Sequence, residues 1–291
     1  MIALLRTLRP HQWVKNGFVV APLVFARRLE DPDYVLRSVL AFAAFCALSG
    51  AVYAFNDVRD VDADRAHPTK RNRPIASGAL SERGALIAAI VLAIGGLAGA
   101  FALDWRTGVC ASVYLAQNLA YSIKLKHVAF VDVGLITSGF LLRVLAGAFA
   151  IDVPASTWLL ICTGLLALFL ALGKRAHELA AAAKTGREIG ETRAALAGYS
   201  LPLVRIAMLV LGAATSVAYV LYTRDHHTVA FFGTDRLVWS AAFPALGIGR
   251  FLMLALWRPR QDSPTEAMMK DPLSLAIFAA WAGVVVYILY G

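Results

Sequence analysis

Charge is scarce in this chain. Only 16% of its 291 residues are Asp, Glu, Lys or Arg, and 59% are hydrophobic. A soluble domain carries about a quarter charged residues. With a mean hydropathy of +0.65, the shortage excludes an ordinary soluble globule and implies an integral membrane protein. Cysteine is scarce too. Cys46, Cys110 and Cys162 lie far apart inside apolar runs, which excludes a disulfide or zinc framework and leaves three small buried hydrophobes. His177, one of six histidines, has no ligand-spaced partner and reads as structural. Acidic residues are outnumbered, giving a formal net charge of +9. In a membrane protein that excess is explained first by cytoplasmic loops, not by nucleic acid. No cleavable leader is expected, because Arg6, Arg9 and Pro10 stand where an apolar core and small-residue cleavage site would be needed. No linker or low-complexity tract interrupts the chain, so a single domain, 1–291, is expected.

What is abundant is apolar sequence in long runs. They lie near 15–29, 37–56, 84–103, 106–124, 129–150, 155–173, 200–223, 237–257 and 272–290. Most approach the roughly 20 residues that a spanning helix needs. Helices are the spanning form this pattern supports, so the fold class is all-α with about nine transmembrane helices. The first run is the weakest, being short and broken by Gly17 and Pro22. Met1 to Pro10 reads as an interfacial helix with Leu4, Leu5 and Leu8 opposite Arg6 and Arg9, and Trp13 and Lys15 mark the interface. The amino terminus and the even-numbered connections carry about 21 of the 28 lysines and arginines, which puts them in the cytoplasm. The long, polar connections are on that side, so polar chemistry is expected on the cytoplasmic face.

Between the second and third runs lies NDVRDVDADRAHPTKRNRP, Asn56 to Pro74. On a helix at about 100° per residue, Asp57, Asp60 and Asp64 share one face with Asn56 at its edge, and Asp62 points away. Three carboxylates on one face repel each other, and a counter-cation relieves that cost. Oxygen donors without His or Cys suit Mg²⁺, which takes a few carboxylates together with substrate phosphates. Lys70, Arg71 and Arg73 follow at once and suit the phosphates. The alternative is a solvated charged loop, the common fate of a charge run; the shared face at a membrane edge favours metal and phosphate.

Other residues join this candidate site. Arg143 lies well inside a run, where an arginine costs roughly 2.5–3.5 kcal/mol on insertion scales and needs a polar cavity or a partner. Asp132, eleven residues earlier, shares its helix face, so a cavity between the two levels is expected, with an interhelical ion pair as the alternative. Tyr121, Lys124 and Lys126 end one run and Asp132 opens the next, a placement that also suits the helix dipole. Lys174 and Arg175 stand where a helix leaves the membrane and are candidates for phosphate. Lys174 and Glu178 are four apart, as helical pairs are. Lys184, Arg187, Glu188, Glu191 and Arg193 read as a solvated helix face, and Asp271 as the cap of the last helix, with Pro272 at its first turn.

The motif Asn56-Asp57-x-x-Asp60-x-x-x-Asp64 resembles the first acidic motif of the UbiA superfamily of membrane prenyltransferases, and the likeness runs along essentially the whole chain. It implies a helical barrel open sideways to lipid, in which the motif holds a diphosphate through Mg²⁺. Ordinary members carry a second DxxxD motif after the sixth helix. Here that loop reads GKRAHEL and has no aspartate. RTLRPHQWVKN, DADRAHPTKRNRPIASG, SGFLLRVLAG and GKRAHEL together resemble the decaprenyl-phosphate phosphoribosyltransferase branch. That resemblance implies transfer of 5-phosphoribose from 5-phosphoribosyl diphosphate to a polyprenyl phosphate, making a lipid-linked pentose donor for cell-envelope sugars such as arabinan. The catalytic candidates are then Asp57, Asp60, Asp64, Lys15 and Arg143. The substrate-binding candidates are Asn56, Lys70, Arg71, Arg73, Tyr121, Lys124, Lys126, Lys174, Arg175 and Glu178. The metal set is Asn56, Asp57, Asp60 and Asp64. A conventional prenyltransferase is the alternative, weakened by the missing second motif. A cation-coupled transporter is a third reading, weakened by the lack of paired broken helices.

Overall fold

The structure, a computed structural model, describes residues 2–185, 194–257 and 264–291, and every element among them is a helix. Arg187, Glu188, Glu191 and Arg193, expected on a solvated helix face, lie outside the described residues. Among the described residues, seven helices are long and apolar enough to cross a membrane. Two of the nine expected spans differ. The run near 15–29 is a 3-10 helix, Pro10–Val19, followed by the short helix α2, Ala21–Phe25. Pro10 and Pro22 each open a helix, because a proline without an N–H fits a first turn and breaks an interior. Helix α6, Trp105–Ile123, has span length, but Thr107, Ser112, Gln117, Asn118 and Ser122 make it more polar than the seven.

The chain divides into two compact units, Met1–Ile123 with Gly139–Ala155, and Lys124–Ser138 with Ser156–Gly291. In the first, α3 (Pro32–Arg59) packs along α5 (Glu82–Leu103) and also against α6, the first 3-10 helix and α1 (Ile2–Leu8). Its core is rich in alanine around Phe45, Leu48 and Val19, so the backbones come close. Gly147 in α7 (Val131–Ala150) is the tightest place: a Cβ there would stand 1.9 Å from the Val19 carbonyl oxygen. Gly147→Ala is therefore expected to cost about 3 kcal/mol, the upper end for overpacking, read as a fall in thermal midpoint in detergent. Arg37 closes the far ends of two helices by donating to Leu103 O at 2.9 Å and Ala150 O at 2.6 Å. Helix α5 turns Ile87, Ile90, Val91 and Ile94 outward, as a lipid-facing helix does.

In the second unit, α8 (Thr157–Thr185) packs on α9 (Leu201–Arg224) around Phe169, Met208, Phe251 and Leu196. Two further helices follow α10 (His226–Phe232) and pack together with α12 (Pro264–Met269): α11 (Ala242–Leu252) and α13 (Pro272–Tyr290). Asp271 caps α13 through Ser274 N at 3.0 Å, as the sequence predicts, and takes two bonds from Arg250. That guanidinium holds the Asp271 carboxyl well below the usual carboxylate range, against the opposing effect of burial. The pair's contribution to stability is thus present above the unfolded carboxylate pKa and lost only in strong acid.

Candidate functional site

The acidic stretch does not run as one helix. Helix α3 ends at Arg59, and α4 spans Val61–Ala66, with Asp60 as the hinge residue between them. The shared face survives because the four-residue hydrogen-bond step continues across the hinge: Asp60 N donates to Asn56 O, and Asp64 N to Asp60 O. Asp57 and Asp64 are accordingly buried, Asp60 and Asn56 are half-buried, and Asp62 is exposed. Asp62 pairs with Arg65, which also reaches Glu82.

Two arginines meet the buried pair. Arg73 Nη1 lies 3.1 Å from Asp57 Oδ1 and 2.7 Å from Asp64 Oδ2, bridging two carboxylates with one cationic nitrogen. Arg9 Nη2 lies 2.5 Å from the same Asp57 oxygen, with its guanidinium 5.1 Å from the Tyr53 ring centroid. Among the described residues no three acidic, His or Cys side chains form a ready metal cage. The donor set nonetheless fits Mg²⁺: it is all oxygen, and two carboxylates already converge on a single cation. Lys70 and Arg71 are exposed on a short 3-10 helix.

Arg143 sits 7% exposed within the same unit. Its three nitrogens donate to Asn16 Oδ1 at 2.8 Å, the Gly139 carbonyl at 2.9 Å and the Tyr114 hydroxyl at 2.8 Å. Asn16 is held in turn by Ser49 and Cys46, and the guanidinium lies 4.5 Å from the Tyr114 ring centroid. Every one of these partners is neutral, and among the described residues no carboxylate pairs with Arg143. Its positive charge is oriented but not neutralised, the condition of a guanidinium that serves an anion. Lys15, half-buried, is next to Asn16 on the same 3-10 helix, and Tyr121 is half-buried on α6.

The second unit holds its own polar cluster. Asp132 is fully buried in the first turn of α7, accepting from its neighbour Val133 N at 2.9 Å and from the Tyr199 hydroxyl at 2.6 Å. Burial, and after it the bond to Asp132, pushes the Tyr199 phenol above its ordinary range, so it stays a donor. The same hydroxyl accepts from Phe130 N at 2.8 Å and holds a bulky residue at φ 66. Arg175, with no exposed surface, has Nε 3.0 Å from Asp132 Oδ2 without hydrogen-bond geometry and also pairs with Glu178. Its Nη2 has no hydrogen-bond partner among the described residues. Glu178 thus pairs with Arg175, three residues away on the same helix. Lys174 is half-buried, Lys124 exposed and Lys126 half-buried. Asp132 and Arg143, expected along one helix face, each have their own partners. Tyr199→Phe should strip Asp132 and Phe130 of one partner each and cost about 1–3 kcal/mol, seen as a lowered thermal midpoint.

Sequence reasoning missed Arg9, Asn16, Tyr114 and Tyr199. For Asn16 a signal existed, a buried amide inside an apolar run; for Tyr199 none did, because its partners are 67 and 69 residues away.

These features define a multi-pass helical membrane protein whose charged side chains are gathered into buried, oriented clusters. The UbiA prenyltransferase family profile matches residues 18–270, and the chain belongs to that family. It is 34% identical to the decaprenyl-phosphate phosphoribosyltransferase of Mycolicibacterium smegmatis, over 97% of this chain and 91% of that one. It is equally identical, at 34% over 96% of this chain and 92% of the other, to the enzyme of that name from Mycobacterium tuberculosis. Among solved structures it resembles a UbiA homolog from Archaeoglobus fulgidus bound to GPP and Mg²⁺, with a TM-score of 0.71, 17% identity and coverage of 98% of this chain and 99% of that one.

Proposed function

We propose that this protein transfers 5-phosphoribose from 5-phosphoribosyl diphosphate to a polyprenyl phosphate, releasing pyrophosphate. The observation that carries this reading is the likeness, along nearly the full length, to two phosphoribosyltransferases. The stretch 174–199, which has no aspartate where an ordinary prenyltransferase would carry its second DxxxD motif, supports it. So does Arg143, a buried guanidinium with only neutral partners.

In this reading Asp57, Asp60 and Asp64, with Asn56 assisting, hold Mg²⁺. The bound ion would neutralise the departing pyrophosphate as charge develops on it. Arg73, Lys70 and Arg71 grip the diphosphate, and Lys15 and Arg143 orient a phosphate at the reacting centre. Tyr121, Lys124, Lys126, Lys174, Arg175 and Glu178 are the remaining candidates for substrate phosphate, and among the described residues Arg175 Nη2 has no hydrogen-bond partner. The acceptor phosphate is already anionic near neutral pH, so no strong general base is needed. Its oxygen forms the new bond to the anomeric carbon as the bond to pyrophosphate breaks, and a single displacement inverts that carbon. The product would be a lipid-linked pentose donor for cell-envelope sugars such as arabinan. We read the chain as one transmembrane domain, 1–291, because the family profile runs through both compact units.

Detergent-solubilised protein incubated with labelled 5-phosphoribosyl diphosphate, Mg²⁺ and polyprenyl phosphate should move label into the organic phase. Label that stays in water while a prenyl diphosphate is consumed with an aromatic acceptor would establish the conventional prenyltransferase instead. We further place the amino terminus in the cytoplasm of a bacterial inner membrane, with nine spans and a cytoplasmic-facing active site, on the lysine and arginine asymmetry. Reporter fusions near Asp31 and His226 should report the outside and one near Arg65 the cytoplasm; the reverse pattern would overturn this orientation.

A further inference from the structure

We propose that Arg9 is a further residue of the site, one that competes with a divalent cation for Asp57 and moves to the substrate diphosphate when cation and diphosphate arrive together. The proposal rests on the metal–diphosphate reading above and adds a residue and an order of binding to it.

The backbone of Arg9 is the first observation. It adopts φ 52 and ψ 63, a left-handed conformation, at the end of α1 and directly before Pro10. A residue before proline is driven towards extended backbone, and a non-glycine residue in the left-handed region costs roughly 1–2 kcal/mol. Glycine would end α1 there without that cost. An arginine in this position costs stability, and its side chain returns an ion pair with Asp57 and a contact with the Tyr53 ring.

The side chain supplies the second observation. Arg9 Nη2 and Arg73 Nη1 both engage Asp57 Oδ1, at 2.5 Å and 3.1 Å, and Arg73 also engages Asp64 Oδ2 at 2.7 Å. A divalent cation ligated by these oxygens has to displace guanidinium groups from them. The displaced groups keep their charge, because arginine does not deprotonate in proteins. Asp57 and Asp64 balance the two guanidiniums and Asp60 adds one half-buried carboxylate beside them, so a divalent cation alone still leaves an excess of positive charge around a pair only 2–3% exposed. A diphosphate arriving with the cation restores the balance and gives the guanidiniums new acceptors. Arg9 and Arg73 are free to make that exchange, since their side chains keep 26% and 30% of their surface exposed. Cation and diphosphate are thereby coupled, each raising the affinity for the other.

The test uses the full-length protein in detergent, with no phosphoribosyl donor and no polyprenyl phosphate, so it succeeds or fails independently of the transfer assay. Mn²⁺ is titrated alone by electron paramagnetic resonance. Retention of labelled pyrophosphate is measured separately in excess Mg²⁺. Arg9→Gly, which also relieves the backbone, and Arg9→Gln are each expected to bind free Mn²⁺ about tenfold more tightly and pyrophosphate about tenfold more weakly, within the usual range of coupling. Arg9→Lys, which keeps the charge, should lie between these and the wild type. Movement in opposite directions is the signature, because a merely structural partner of Asp57 would weaken both. Unchanged or weaker Mn²⁺ binding in a variant that keeps the wild-type thermal midpoint would overturn the proposal.

Discussion

Asp57→Asn, Asp60→Asn and Asp64→Asn are each expected to lower phosphoribosyl transfer by at least about 100-fold, since even residues behind metal ligands cost 10–100-fold when changed. Asp62→Asn should keep near-wild-type activity. Its carboxylate is 92% exposed and engages Arg65, away from the buried pair. At Asp57 and Asp64 the isosteric amide keeps the volume but removes a charge that faces Arg9 and Arg73. Some loss of stability accompanies that change, because it leaves guanidinium groups without a counter-charge. Asp60, half-buried at the hinge between α3 and α4, therefore separates the two effects best. Equal loss in all four variants would show that the exposed edge of α4 matters as much as its buried face. Full activity in EDTA would remove the divalent cation from the mechanism.

Arg143→Lys should fold and lose activity or phosphate affinity, whereas Arg143→Leu should lose both activity and stability. The leucine variant leaves Asn16 Oδ1 and the Tyr114 hydroxyl without this donor, at about 1–3 kcal/mol for each group so orphaned, while the Gly139 carbonyl keeps its helical bond. Lysine keeps the charge but not the planar fork, and cannot serve three acceptors in fixed directions and still present an edge to phosphate. Steady-state kinetics against the phosphoribosyl donor, with thermal melts alongside, check this pair. Wild-type kinetics in Arg143→Leu would make the residue structural only.

Much of this was legible in the residues themselves. Long apolar runs dictate helices, because in lipid every backbone polar group must bond within its own segment. Asp57 and Asp64 could be placed on one face and Asp62 off it, because helical periodicity is a local property and survives the hinge at Asp60 through two continuing backbone bonds. Arg143 was marked by cost alone, since a charge inside an apolar run needs a reason to be there. Asp271 was marked as a cap by its place before Pro272, and it is one.

The tertiary structure alone decided who meets whom. Nothing near Arg9 in the chain points to Asp57, which is 48 residues away, or near Arg143 to Asn16, 127 residues away. Arg175 read as a surface cation at a helix exit, yet packing leaves it fully buried beside Asp132 and Glu178. The run near 15–29 reads as one continuous helix, but Pro10 and Pro22 each open a new segment, so it is a 3-10 helix followed by a short α-helix. The physical reason is the same in each case. Periodicity and insertion cost are set by neighbours along the chain, whereas the partner of a buried charge is set by which helices pack, a property of long-range contacts that no single stretch contains.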